Sequence, residues 1–417
     1  MVGPFGMRPR STMRIRALPM AKVLAARGYE VTMVLPPWQN HEDAGQRWEE
    51  GGVRIENIPL PPRVPGVFQG MVALRLARRA LGLQPDVVYL FKPKAYSGLT
   101  HWLLARVPKG RRPRLVVDTD DWEGPGGWNQ LGEYTWPERR FFAWQERWGL
   151  THADAVTVAS RTLESLVWSM GVASGRVFYV PNGVEEVSVG RERLASGDGG
   201  GEGDTGRYCS PCILLYTRFF EFSVRRVVEV FDYVRERVPN AHLLVVGEGL
   251  FGEEEELFRL ADQAGLRVER FGIPGNADRY GPSPAIGGSS GDISYAGWVD
   301  SEALSAHFGR ASVAIYPFDD TLVNRAKCAV KLRDLLAAGV PVVADAVGQN
   351  REYIRDGETG LLVDPGDVAA FGAAVVRVLK TPALGDRLGE AAAHDLRQRF
   401  AWERLVAVVE EAFRVRI

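Results

Sequence analysis

Short apolar runs rich in Val, Ile and Leu recur along the chain, separated by segments of helical periodicity, and the pattern occurs twice. In the first half the runs are "MVG" (Met1 to Gly3), "EVTMVLPP", "DVVYLFK", "RLVVDTDD", "AVTVAS" and "VFYVPNG". In the second they are "CILLYTRFF", "HLLVVGEG", "ISYAGW", "SVAIYPF", "VPVVAD" and "GLLVDP". Strands alternating with helices in this way make parallel sheets covered on both faces. The expected fold class is α/β: two doubly wound Rossmann-like domains facing a cleft, with ligands at the carboxyl ends of the strands.

Between the halves lies "ASGDGGGEGDTG" (Ala195 to Gly206), too polar and Gly-rich to pack. The expected domains are 1–185, a linker at 186–210, and 211–401. A second such loop interrupts the second half from Gly275 to Asp292. The last segment, "RFAWERLVAVVEEAFRVRI", has the spacing of an amphipathic helix, and residues 402–417 are expected to pack back on the first domain. The first strand has only Met1 to Gly3 before its turn, short even for a buried strand, which raises the expectation of residues missing before Met1 or of a misplaced start.

Composition narrows the class. A chain of 417 residues, 46% hydrophobic and 25% charged, exceeds one ordinary core. A net charge of -1 removes the electrostatic case for a general nucleic-acid partner. Three cysteines exclude a disulfide framework, and "CSPC" (Cys209 to Cys212) runs into the apolar "ILLY" instead of opening a helix, against a thioredoxin-type or zinc role. There is no apolar stretch of 18 residues and no signal-peptide pattern, so the expected location is cytoplasmic.

Candidate chemistry gathers at strand ends. In "VKLRDLLAAGVPVVADAVGQNREYI", Lys331 sits at a helix start with Arg325 and Lys327 just upstream, where the macrodipole prefers anions. Either water screens these cations or a bound anion completes the site. Gly3 and Gly6, in the loop before the first helix, let backbone approach a ligand's phosphate or hydroxyl oxygens. "RLVVDTDDWEGPGGW" closes a strand with Asp118, Asp120, Asp121 and Glu123. This cluster reads as a metal site of the Asp-x-Asp type or as turn caps, the latter fitting Asp118. "RRFFAWQERWGL" (Arg139 to Leu150) and "FQGMVALRLARRAL" (Phe68 to Leu81) are basic and amphipathic; such stripes are core faces of surface helices or membrane-surface contacts.

Seven pieces in order, "RALPMAKVLAARGYEVTMV", "ADAVTVASRTLESL", "VFYVPNGVE", "LLVVGEGL", "ISYAGWVDSEALSAHFGRASVAIYP", "KLRDLLAAGVPVVAD" and "GETGLLVDPGDVAAFGAAV", cover nearly the whole chain. Together they resemble the retaining group 1 glycosyltransferases of GT-B fold. The resemblance implies a nucleoside diphosphate sugar donor on the C-terminal domain, an acceptor on the N-terminal one, and retention of anomeric configuration. It implies that Arg218 binds the donor diphosphate, although the family's lysine a few residues on is missing and Arg225 or Arg226 would have to stand in. Of the family's two glutamates, the second matches Asp334 and the first falls on Ala326, which cannot replace a carboxylate. Lys331-Leu332-Arg333-Asp334 is similar to a Lys-x-x-Glu variant, with Lys331 for diphosphate oxygens and Asp334 for ribose hydroxyls. Glu248, Gly348, Gln349 and Asn350, at strand ends, complete the implied donor set. Asp120 falls where relatives carry a histidine beside the transferred sugar.

The expected activity is therefore sugar transfer from a nucleoside diphosphate sugar to a hydroxyl of a glycan, lipid-linked glycan or small metabolite. Asp120, Arg218 and Lys331 are the expected catalytic residues, with no metal and no cofactor beyond the co-substrate, and with peripheral contact to the inner membrane face if the acceptor is lipid-linked. The rivals are a sugar-nucleotide epimerase or hydrolase, and a non-catalytic nucleotide-sugar binder, the latter suggested by Ala326.

Overall fold

The computed structural model describes residues 1–8, 12–64, 67–132, 134–185, 211–271, 291–299 and 301–415. The linker, and nearly all of the loop expected at Gly275 to Asp292, lie outside them.

The chain forms two compact units. The first comprises Met1–Glu186, Thr321–Cys328 and Phe400–Ile417, the second Val187–Asp320 and Ala329–Arg399. The eight residues Thr321–Cys328 thus leave the range 211–401 expected for the second domain.

In the first unit the strands are β1 (Val31–Leu35), β2 (Arg47–Glu50), β3 (Val53–Asn57), β4 (Val87–Phe91), β5 (Arg114–Thr119), β6 (Ala155–Val158) and β7 (Val177–Tyr179). Two sheets, β1-β3-β2 and β4-β5-β6-β7, are joined by Val2, which bridges Val34 and Leu90 in parallel. Val2 N–H donates to the Tyr89 carbonyl at 2.8 Å, and Phe91 N–H donates back to Val2 at 2.9 Å. The short expected first strand is therefore real and central. The chain reverses its direction of winding beside Val2, so the switch point of this sheet lies at the end of that strand and of β4.

Strands β2 and β3 form an antiparallel hairpin that the apolar pattern did not reveal. Its turn, Gly51-Gly52, has φ of 59° and 76°, the conformation of a two-residue hairpin turn. Apolar clusters fill both faces of the sheet. One includes the C-terminal helix Trp402–Arg414 through Trp402, Leu405, Val406, Val409 and Ala412. The buried Leu405, Val406 and Val409 each contribute about 1.5–3 kcal/mol of transfer free energy, so this helix is an integral part of the first unit.

The second unit has β8 (Cys212–Tyr216), β9 (His242–Val246), β10 (Val268–Arg270), β11 (Ile293–Tyr295), β12 (Val313–Tyr316), β13 (Val342–Asp345) and β14 (Leu361–Val363). All pairings are parallel, in the order β10-β11-β9-β8-β12-β13-β14. Winding reverses between β8 and β12. Cys212 is a buried core residue of β8, and Cys209 lies outside the described residues. No single helix among the described residues is long and apolar enough to cross a membrane.

Candidate active site

In the second unit the switch point brings Arg218 and Lys331 together. Arg218 follows β8 by two residues, and Lys331 lies in the first turn of the helix Val330–Ala337. The Lys331 ammonium stands 3.5 Å from the centre of the Tyr216 ring, the last residue of β8. Burial raises the Tyr216 phenol pKa, the Asp334 charge raises it further, and Arg333 and Arg218 oppose this. Four charged side chains therefore act on one strand end.

The Arg218 loop is held open by unusual backbone. Phe219 has φ of 66°, and its N–H donates to Thr217 Oγ1 at 2.7 Å. Gly247, at φ 126°, lets the neighbouring strand end pass: a Cβ there would lie 1.9 Å from the Thr217 carbonyl oxygen. The Arg218 Nε is buried and has no hydrogen-bond acceptor, while its guanidinium stands 5.5 Å from the centre of the Trp298 ring. A buried charge-assisted donor without a partner is costly, and a ligand's anionic oxygen would satisfy it.

Other expected donor residues fare differently. Arg226 is committed to Asp345 through contacts of 3.0 and 2.7 Å, and Arg225 is exposed, so neither replaces the missing lysine. Arg325 and Lys327 belong to the first unit and Lys331 to the second. Gln349 is buried and its Oε1 accepts the Ala329 N–H at 2.7 Å, making it the cap that fixes the start of the Lys331 helix. Asn350 is buried and donates to the Asp345 carbonyl at 2.9 Å. These two amides hold the loop, while Gly348, at φ 48°, supplies its turn. Asp334 Oδ1 accepts from its neighbour Arg333 at 2.5 Å, and Glu248 follows β9, partly buried.

In the first unit the acidic cluster is divided among cations. Asp118 lies at the end of β5, paired in register with Phe91 of β4. It is fully buried against Arg16, whose Nε and Nη2 donate to its two oxygens at 2.7 Å each. Thr157 and Tyr89 hydroxyls complete its shell at 2.6 and 3.1 Å. Asp118 is thus neither a turn cap nor an open ligand. Arg16, which the sequence reading missed, sits in a π-helical turn, Met13–Ala17, and also donates to Asn182 and the Val180 carbonyl.

Lys92, after β4, faces the rest of the cluster. Its ammonium lies 2.6 Å from Asp121 Oδ2 and 3.1 Å from Asp120 Oδ1. Lys94 pairs with Glu123 at 2.5 Å and with the Tyr134 hydroxyl at 3.1 Å. Both lysines were absent from the expected set; only the "KPK" following a strand marks them. Although close to Lys92, Asp120 Oδ1 is buried without an aligned donor, so it remains an acceptor for a ligand hydroxyl. Burial raises the Asp120 pKa to about 6, and Lys92 opposes this. Among the described residues, no three His, Cys, Asp or Glu side chains are grouped to hold a metal ion.

Gly3 belongs to the ladder: its N–H donates to Val34, and a Cβ would meet Met13 Sδ at 2.7 Å. It is needed for helix-to-strand packing. Gly6 is buried beside Pro37. The helix Trp136–His152 shows Trp136, Phe141 and Trp144 exposed by 71%, 39% and 41%, so this aromatic stripe is not a core face.

A pH prediction follows from the Lys92–Asp120 pair. If only ionised Asp120 supports turnover, kcat/KM rises with pH through an apparent value of about 6. Lys92→Met removes the stabilising cation, so the rise should move to higher pH. A profile unchanged by this substitution would remove Asp120 from the rate-determining protonation.

Comparisons with known proteins bear on the fold and the activity. Residues 11–183 match the model of the glycosyl transferase 4-like domain, and residues 211–381 match that of glycosyl transferases group 1. A GDP-mannose-dependent alpha-(1-6)-phosphatidylinositol monomannoside mannosyltransferase of Mycolicibacterium smegmatis is 25% identical over 388 residues, 90% of this chain and 88% of that protein. A phosphatidyl-myo-inositol mannosyltransferase of Mycobacterium leprae is 27% identical over 416 residues, 99% and 95% of the two chains. Among solved structures, the sucrose-phosphate synthase of Thermosynechococcus elongatus superposes with a TM-score of 0.66 at 19% identity, covering 97% of this chain and 93% of that one. The chain belongs to the group 1 glycosyltransferases, with two Rossmann-like domains of the GT-B type. It is a glycosyltransferase, and nothing in these comparisons supports the epimerase, hydrolase or non-catalytic readings.

Proposed function

We propose that the enzyme transfers a hexose, with retention of configuration and without a divalent cation, from a nucleoside diphosphate sugar on the second unit to an acceptor hydroxyl on the first. The observation carrying the donor assignment is the buried, acceptor-less Arg218 Nε beside Lys331 at the switch point. As the sugar–phosphate bond breaks, charge develops on the departing diphosphate, and two prepositioned cations stabilise that charge more than they stabilise the bound donor. Asp120 accepts a hydrogen bond from a hydroxyl of the sugar or the acceptor. The named relatives make GDP-mannose the first donor to test and phosphatidylinositol-type lipids the first acceptors. Such an acceptor would bring the enzyme to a membrane surface.

The metal-free reading is supported by the partners of the acidic cluster. Arg16 takes Asp118, Lys92 takes Asp120 and Asp121, and Lys94 takes Glu123. A dication there would have to displace ammonium groups already in place. Full activity is expected in EDTA, and loss restored by magnesium or manganese would reverse the assignment. An early NMR time course should show product with the donor's anomeric configuration; an inverted product would refute retention. Asp120→Asn should lower kcat more than it raises the donor KM.

A further inference from the structure

The helix Phe68–Gly82 and the β2–β3 hairpin border an open pocket of about 430 Å³ that the proposed transfer does not use. That volume lies within the range of small-molecule sites, about 300–1,000 Å³. Four arginines line it, Arg47, Arg75, Arg78 and Arg79, against one carboxylate, Glu56. Arg79 and Glu56 neutralise each other through contacts of 2.6 and 2.7 Å. Arg75 donates to the Pro59 carbonyl at 2.8 Å, which fixes its direction but not its charge. Arg47 stands 4.0 Å from Glu56, and Arg78 makes no ion pair among the described residues. Three positive charges in the wall therefore lack a counter-charge of their own.

A second observation specifies more than an anion. Asn57, at the end of β3, also lines the cavity and is only 3% exposed, yet its Oδ1 has no hydrogen-bond donor. A buried amide oxygen without a donor calls for a hydroxyl or N–H from the ligand. We infer that this cavity binds a phosphate ester of a polyol, the phosphate held by Arg75, Arg78 and Arg47 and a hydroxyl held by Asn57. Planar guanidinium forks match phosphate oxygens in geometry as well as charge.

The site is distinct from the place of transfer. In the sheet, β3 and β5 are separated by β1, Val2 and β4, four strand spacings or roughly 19 Å. A phosphate in the cavity is therefore not on the ring whose hydroxyl meets Asp120. It belongs to a remote part of an elongated acceptor or to a neighbouring lipid head group. Leu74 on the same helix, and Val64 and Val67 before it, are exposed apolar side chains, which suits the second source.

The test is binding to the full chain, read without donor or turnover, so its outcome is independent of the transfer proposal. Calorimetry with glycerol 3-phosphate should show saturable binding, weakened about tenfold by Arg78→Gln and roughly a hundredfold by Arg47→Gln with Arg78→Gln, at one charge-assisted contact each. Asn57→Ala should weaken glycerol 3-phosphate but leave inorganic phosphate unchanged. Sedimentation with phosphatidylcholine vesicles, with and without phosphatidylglycerol, distinguishes the sources. Arginine-dependent capture by the anionic vesicles identifies a lipid head group, and binding of the soluble ester alone identifies a free phosphate ester. If neither probe binds, or if the double variant binds as the parent does with its circular dichroism unchanged, the inference is overturned.

Discussion

Lys331→Met is expected to lower turnover by roughly 30- to 1000-fold, a loss of about 2–4 kcal/mol in transition-state stabilisation. The methionine keeps the packing on the Tyr216 ring, 3.5 Å away in the parent, and removes only the charge. Because the leaving diphosphate gains charge as the bond breaks, the loss should fall mainly on kcat. Arg218→Met should act in the same direction, since its buried Nε has no protein acceptor to lose. Lys331→Arg, which keeps a cation on a longer stem, should recover part of the activity. Steady-state kinetics with varied donor decides the matter. Activity within threefold of the parent, with an unchanged circular dichroism spectrum, would reduce Lys331 to a cation packed on an aromatic ring.

The second large effect is on stability. Asp118→Ala strands the Arg16 guanidinium, 1% exposed, without its counter-ion. Removing one partner of a buried pair costs about 3–5 kcal/mol, a large share of a total of roughly 5–15. Thr157 and Tyr89 lose their acceptor as well. Replacing both members, Arg16→Met with Asp118→Leu, should recover much of the loss, because the stranded charge goes too. Urea unfolding followed by tryptophan fluorescence measures both variants. A change under about 1 kcal/mol for Asp118→Ala would mean that water or another anion reaches Arg16.

Strands with continuous apolar runs were legible, including the edge strands β7 and β14, whereas β2, β3 and β10, in which charged residues interrupt the run, were not. β4, β5, β6, β8 and β9 are continuous apolar runs because helices cover both sides of them. β2, reading Arg47-Trp48-Glu49-Glu50, and β10, reading Val268-Glu269-Arg270, lie at sheet edges, where polar residues are tolerated and the apolar signal fades. The Gly51-Gly52 turn was the one local sign of the hairpin.

The site divides in the same way. Motif order placed Arg218, Lys331 and Asp120 at strand or helix ends, and the sheet topology brings the first two around Tyr216. The roles of Gln349, Asn350 and Gly3 were not legible, since a buried amide that caps a helix and one that meets a ligand read alike, as do a glycine for packing and a glycine for phosphate.

The sequence by itself determined the two α/β units, the return of the C-terminal helix and the strand ends that carry the chemistry, because periodicity and turn residues are local properties of the chain. Only the tertiary structure decided which charge answers which. Arg16 meets Asp118 across 102 residues, Lys92 meets Asp121 across 29, and Arg226 meets Asp345 across 119. Such pairings depend on strand order and register, and burial makes them compulsory, since a charge removed from water is tolerated only with a partner.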